Sequence, residues 1–282
     1  GSEMCIRDRA RQQDVKFISA SEPQYTFSSP ECRHSTLYME KRAVEGEPTV
    51  FSETFEFTAN GEWHNLKPED VQPYDTTTAL YKEYTAEREK HIVFSPRLRE
   101  LAAKLTAGET NPYLKAKRIF RWVNDNFPWA SAREYSTIEN IPEYVLDNRH
   151  GDCGQVSLLF ITLCRISGIP AHFQSGFMMH PRAWNLHDWA EVYFEGVGWV
   201  PVDQSFGIPA FARNADEEYF FLGGIDSWRM IVNTDYGMPL QPEKQYPRSE
   251  TVDFQRGEVE WEGGNLYFPQ WDYHMDIDYL NY

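Results

Sequence analysis

Three residues of this 282-residue chain have types and spacing that could carry acyl chemistry: Cys153, His187 and Asp203. Cys153 sits in Gly151-Asp152-Cys153-Gly154-Gln155, directly ahead of an apolar run over 156–166. That run is apolar nearly all round, so it predicts a buried helix with Cys153 at its N-terminus. Unpaired N–H groups and the helix dipole favour an anion there, which predicts a stabilised thiolate and a lowered thiol pKa. The flanking glycines leave room for a substrate backbone. A free cysteine more commonly serves as a small buried hydrophobe. Cys164, on the apolar body of the same run, fits that role, whereas Cys153 fits it poorly.

His187 opens one predicted strand and Asp203 closes the next, with a tight turn at Glu195-Gly196-Val197-Gly198 between them. In an antiparallel hairpin these positions lie at the same end, so the carboxylate could fix the imidazole tautomer. If the buried helix packs on this sheet, Cys153 faces His187 in a nucleophile, base and orienter arrangement. Taken singly, His187 could be a strand-end histidine and Asp203 a turn residue. Asp188 alternates to the opposite sheet face and is not placed in the triad.

The elements that must position these residues follow from periodicity. Residues 97–105 place Leu98, Leu101 and Leu105 on one helical face. Asn111-Pro112 is a helix start, followed by an amphipathic pattern to Phe127-Pro128. A short helix or turn is expected at 141–146, and Gly168 with Pro170 ends the buried helix. Strands are expected at 49–58, 171–177, 188–194, 199–202, 251–254, 259–261 and 273–279, while residues 1–45 read as polar and irregular. Helices precede a run of strands, an α+β order.

Three segments carry a resemblance. Gly151-Asp152-Cys153-Gly154-Gln155, His187-Asp188-Trp189-Ala190-Glu191-Val192-Tyr193 and Gly198-Trp199-Val200-Pro201-Val202-Asp203 resemble, in order, the motifs of the transglutaminase-like superfamily. Gly168-Ile169-Pro170-Ala171 between them also looks typical. The resemblance covers residues 111–207, about a third of the chain. It implies a papain-like, transglutaminase-like core, with the nucleophile at the N-terminus of a buried helix on an antiparallel sheet. It also implies a triad of Cys153 as nucleophile, His187 as general base and acid, and Asp203 as orienter.

Family members attack an amide or related acyl group through the thiolate, then pass the thioacyl group to water or to an amine. Calcium-dependent cross-linkers carry a calcium requirement for which this chain has no Asp-x-Asp-x-Asp-Gly loop. A cysteine-dependent amide hydrolase acting on a peptide or protein is therefore the expected function. Transglutaminase-type transfer to an amine, or a non-catalytic binding or assembly module on the same fold, is the alternative. The family's habit implies a bacterial extracytoplasmic setting, periplasmic or secreted. The expected division is an N-terminal strand- and loop-rich segment over 1–85 and a catalytic domain over 86–282.

The oxyanion would be held by the backbone N–H of Cys153 and a second donor. Trp129 and Tyr135 are candidates because each offers a donor on a rigid ring, although aromatic core packing would also explain them. Trp184, in the loop entering His187, could wall a substrate cleft, and packing onto its own domain explains it equally well. Gln155 follows the nucleophile and is not given an oxyanion role.

Composition narrows the partners. Lys plus Arg is 27 and Asp plus Glu 43, for a formal net charge of −16. Nucleic acid and anionic membranes select for positive fields, so neither is an expected partner. The apolar stretch 156–164 is about half the length of a spanning helix. With 41% hydrophobic and 15% aromatic residues, the chain has ample material for a core. No Cys-x-x-Cys and no His pair at ligand spacing occurs, so neither a metal nor another cofactor is expected. Cys153 and Cys164, about 16 Å apart along one helix, cannot bridge each other. Gly1-Ser2 matches a tag-removal remnant and residues 4–9 resemble a translated adapter read, so the natural N-terminus is expected to be missing.

Overall fold

A computed structural model describes residues 11–280 apart from 30, 132 and 211; Gly1-Ser2, the 4–9 segment and Cys5 lie outside the described residues. Strands β1 (Gln12–Ala20), β2 (Tyr25–Phe27), β3 (Leu37–Met39), β4 (Glu53–Ala59) and β5 (Glu62–Trp63) come first. Helices α1 (Ala79–Tyr84), α2 (Pro96–Leu105), α3 (Pro112–Asn126), α4 (Ile141–Asn148) and α5 (Cys153–Ile166) follow. After them come β6 (Ala171–His180), β7 (Ala183–Phe194), β8 (Gly198–Val202), the short α6 (Ala215–Glu218), β9 (Gly224–Ile225), β10 (Arg229–Thr234), β11 (Val259–Trp261) and β12 (Gly264–Leu266). Segregated helices and antiparallel strand pairs make the fold α+β. The chain forms two compact units, one of residues 61–174 and 187–227, the other of the described residues up to 60, 175–186 and those from 228 onward.

In the first unit α5 is the core, buried from Gly154 to Arg165, with α2, α3 and α4 packed on it. The neighbouring helices start where their caps dictate. Asn111 accepts the Leu114 N–H at 3.2 Å and Asn140 accepts that of Glu143 at 3.0 Å, each with a proline in the first turn. Arg149, at φ 61°, closes α4 in a left-handed conformation and turns the chain towards α5. Gly151 fits this turn tightly, since a Cβ there would lie 3.1 Å from the Gln155 Cβ and 3.2 Å from the Val145 and Val156 side chains. At the other end the Ile169 N–H donates to the Cys164 carbonyl across Gly168, which sits at φ 76°. The unit's sheet runs β6-β7-β8, with the β7–β8 hairpin in register from Ala190↔Val202 to Phe194↔Gly198.

His91 secures the start of α4: its Nδ1 accepts the Ile141 N–H at 3.3 Å. Burial, aided by Lys90, holds its pKa at about 4. A folded pKa below the unfolded value of about 6.5 contributes stability that is present above pH 6.5 and lost as the pH falls through about 4. Unfolding free energy should therefore drop by about 3 kcal/mol over that window. A His91→Asn variant should have a flatter denaturation-against-pH curve there, and a curve as steep as the wild type's would exclude His91 as the source.

In the second unit β1 pairs with β4 from Gln12↔Ala59 to Ala20↔Glu53, and its sheet order is β10-β6-β7. Gly176 lets the backbones of β6 and β10 approach, since a Cβ would fall 1.8 Å from the Met230 carbonyl oxygen. Buried Met179, Met230 and Val232 form a small core against Phe55, Phe57, Phe177, Phe254 and Ile277.

Three expectations are corrected in this unit. Residues 1–45 were expected to be irregular, yet β1, β2 and β3 lie there. Register shifts between Gln13 and Lys16 and between Phe17 and Ser19 break the period-two pattern of β1. Residues 251–254 form no strand: the Glu250 carboxylate takes the N–H groups of Thr251 and Val252, in place of a ladder. Residues 273–279 are extended with alternating half-buried side chains, but join no ladder. Alternation there reports one-sided burial, with Tyr279 donating to the Met179 carbonyl at 2.8 Å.

Candidate active site

Cys153 is the first residue of α5, with Asp152 as its cap. The Asp152 Oδ1 accepts the Gln155 N–H at 3.1 Å and the Tyr135 hydroxyl at 2.5 Å. Burial nevertheless pushes the Asp152 carboxyl above its ordinary value, against the pull of these two donors. The Cys153 Sγ donates to the Asp188 Oδ2 at 3.4 Å. Gly154 makes this approach possible, because a Cβ would lie 2.7 Å from that oxygen and 2.5 Å from the Tyr135 hydroxyl.

The lowered thiol pKa expected at this helix start is not found. Burial, then the charges of Asp188 and Asp152, hold the Cys153 thiol well above its usual range. A helix N-terminus offers roughly half a positive charge, which desolvation and two carboxylates outweigh. Cys164 is fully buried, as its place on the apolar body of the helix suggested.

His187 and Asp203 are brought together: Nε2 lies 2.8 Å from Oδ2. Extending the hairpin register puts Asp203 opposite Trp189, one diagonal step from His187. The carboxylate is fully buried, and its Oδ1 accepts the N–H groups of Ser205 at 3.1 Å and Phe206 at 3.3 Å. Its orientation is therefore fixed from two sides. The contact through Nε2 leaves Nδ1 as the imidazole's other nitrogen for base chemistry.

The remaining candidates separate. Tyr135 is buried and directs its single hydroxyl proton to Asp152. Trp129 is exposed rather than core-packed and bridges Gly151, while the Ala130 N–H donates to the Gly151 carbonyl at 3.1 Å. Its backbone thus runs beside the loop that delivers Cys153. Trp184 is exposed on β7, within the segment 175–186 that belongs to the other unit.

Sequence reasoning missed two features of this site. Phe206 is exposed yet stands edge-on to His187, with ring centroids 5.6 Å apart. Its signal was local: Asp203 accepts the N–H three residues on, an Asx-type turn that brings Phe206 back to the imidazole. The second is a buried polar chain. The Trp189 ring stacks on His187 at 6.0 Å and donates to Gln174 at 2.5 Å. Gln174 donates to Glu191 at 3.1 Å, and Glu191 also meets His172 at 3.1 Å. Residues 187, 189 and 191 share one strand face, so the period-two pattern already pointed to it.

Among the described residues no cluster of three or more His, Cys, Asp or Glu could hold a metal ion, and no helix is long and apolar enough to cross a membrane.

An uncharacterised protein, YebA, of Bacillus subtilis is 27% identical over 140 residues, covering 43% of this chain and 19% of that protein. A protein-glutamine gamma-glutamyltransferase of Pseudomonas aeruginosa is 23% identical over 125 residues, covering 40% of this chain and 19% of that protein. The chain thus spans about a fifth of the length of these two curated relatives. A crystal structure of a candidate cysteine protease from Cytophaga hutchinsonii superposes with a TM-score of 0.53 at 19% identity, covering 80% of this chain and 72% of that one. This likeness shows a common fold. The model of the transglutaminase-like superfamily matches residues 99–204, a stretch containing α5 and the β7–β8 hairpin. Over residues 99–204, then, the chain carries a transglutaminase-like domain.

Proposed function

We propose that the protein is a cysteine-dependent amide hydrolase of peptide or protein substrates, acting through a thioacyl intermediate in the unit built from 61–174 and 187–227. The observation that carries this reading is the buried His187–Asp203 pair, 2.8 Å apart, on the strand whose next residue touches the Cys153 sulfur.

His187 takes the thiol proton at Nδ1 as sulfur attacks the amide carbonyl carbon. The carbonyl oxygen becomes an oxyanion that accepts from the backbone N–H of Cys153 and from the Trp129 indole N–H as second donor. The imidazolium returns its proton to the departing amine, leaving a thioester on Sγ. Water then attacks the thioester with His187 as base, releasing a carboxylic acid and the thiol. Asp203 holds the imidazole with Nε2–H towards itself throughout. Transfer of the thioacyl group to an amine is the second reading, favoured by the likeness to the Pseudomonas gamma-glutamyltransferase.

Intact-mass spectrometry with a mixed panel of peptide amides, with and without a primary amine, tests these readings. A thioacyl adduct on Cys153 with amide loss and gain of water supports the hydrolase. Incorporation of the amine in preference to water supports acyl transfer. No adduct and no turnover would favour a non-catalytic module on the same fold.

A further inference from the structure

We propose that Asp188 is a positioning residue for the nucleophile: its carboxylate takes the hydrogen bond of the Cys153 thiol, orients the sulfur and keeps the proton on it in the free enzyme. The inference rests on the reading of Cys153 as nucleophile and adds how that nucleophile is held at rest.

The contact is built into the fold. The Sγ–H lies 3.4 Å from Oδ2. Asp188 is almost fully buried on β7, where a carboxylate interacts strongly with a neighbouring thiol. Gly154 clears the space that this carboxylate occupies over the first turn of α5. The Tyr135 hydroxyl, 2.5 Å from the Asp152 Oδ1, also lies 3.4 Å from the same Asp188 Oδ2, so it and the thiol both approach this carboxylate.

The titratable groups near the sulfur come from three elements. Asp188 on β7 and Asp152 at the cap of α5 act on the sulfur itself, Tyr135 and Glu134 at the turn before α4 act on Asp152, and His187, beside Asp188 on β7, pairs with Asp203. The carboxylates nearest the sulfur oppose its ionisation, in the same direction as burial. The proton leaves for His187 only as sulfur attacks, which is general-base catalysis from a neutral thiol.

The test needs no substrate. The rate of iodoacetamide labelling at Cys153 is followed against pH in the wild type and in Asp188→Asn, which keeps shape and removes charge. The midpoint should fall by about 1 pH unit or more in Asp188→Asn, and labelling at pH 7 should rise about tenfold. The same shift should persist in a His187→Ala background. An unchanged or raised midpoint overturns the proposal. If Asp188→Asn does not fold, thiolate absorbance of the wild type, taken as a difference from Cys153→Ala, decides. A midpoint above the ordinary cysteine value of about 8.5 that falls in Asp188→Ser supports Asp188 as holder of the proton, and a midpoint unmoved in Asp188→Ser, or thiolate already present at neutral pH, overturns it. The labelling shift and substrate turnover separate the two ideas. A shift without any turnover leaves the inference and removes the hydrolase reading, while turnover without a shift does the reverse.

Discussion

Replacing Cys153 by Ala should abolish turnover, with a loss of about 10⁵-fold or more on the best amide of the panel, and His187→Ala should lose nearly as much. The argument is one of shared function. The thiol cannot attack while it keeps its proton, and the proton has no acceptor of suitable basicity once the imidazole is gone. Each residue is therefore useless without the other, and their effects cannot add. The double variant should be no slower than Cys153→Ala alone, a signature that independent structural damage would not produce. Steady-state kinetics on the four proteins measures it, with circular dichroism as the fold control. Cys153 is half-buried at a helix end, so loss of its sulfur should leave α5 intact. Comparable turnover in Cys153→Ala would remove the proposed mechanism, and strict additivity would remove the partnership between the two residues.

The part of this molecule legible in its sequence is the part governed by local chemistry. Asn111-Pro112 set the start of α3, the glycines at 196 and 198 set the hairpin turn, and the apolar run after Gly154 set a buried α5. The placement of His187 beside Asp203 follows from that hairpin alone. The direction of the Cys153 pKa did not follow, because it depends on Asp188, 35 positions away in sequence, and on burial that no local pattern reports. Strand alternation set Asp188 apart from His187, and nothing in the local pattern showed that its carboxylate reaches the sulfur. The second unit was harder to read for a different reason. Its strands are short or bulged, and its C-terminal stretch buries alternate side chains without ladder pairing, so period and pairing come apart.

Asp203→Asn should cost about 10⁴-fold in kcat while sparing the fold, and the geometry says why. The carboxylate has two occupied sides: Oδ1 receives the Ser205 and Phe206 amides, and Oδ2 faces the His187 Nε2 at 2.8 Å. An asparagine that keeps its carbonyl oxygen under the two amides must turn its NH₂ towards Nε2. The imidazole then has to accept at Nε2 and carry its hydrogen on Nδ1, the nitrogen required as base. The side chain is isosteric and the amides stay satisfied, so the melting temperature should barely move. Asp203→Ala differs on that second axis: it strands two backbone donors beside a buried site and should cost about 1–3 kcal/mol of stability in addition. Measuring kcat and denaturant midpoint for both variants therefore separates orientation of His187 from support of the turn. Should Asp203→Asn retain more than about a tenth of wild-type kcat, the imidazole tautomer would not be under the control of Asp203.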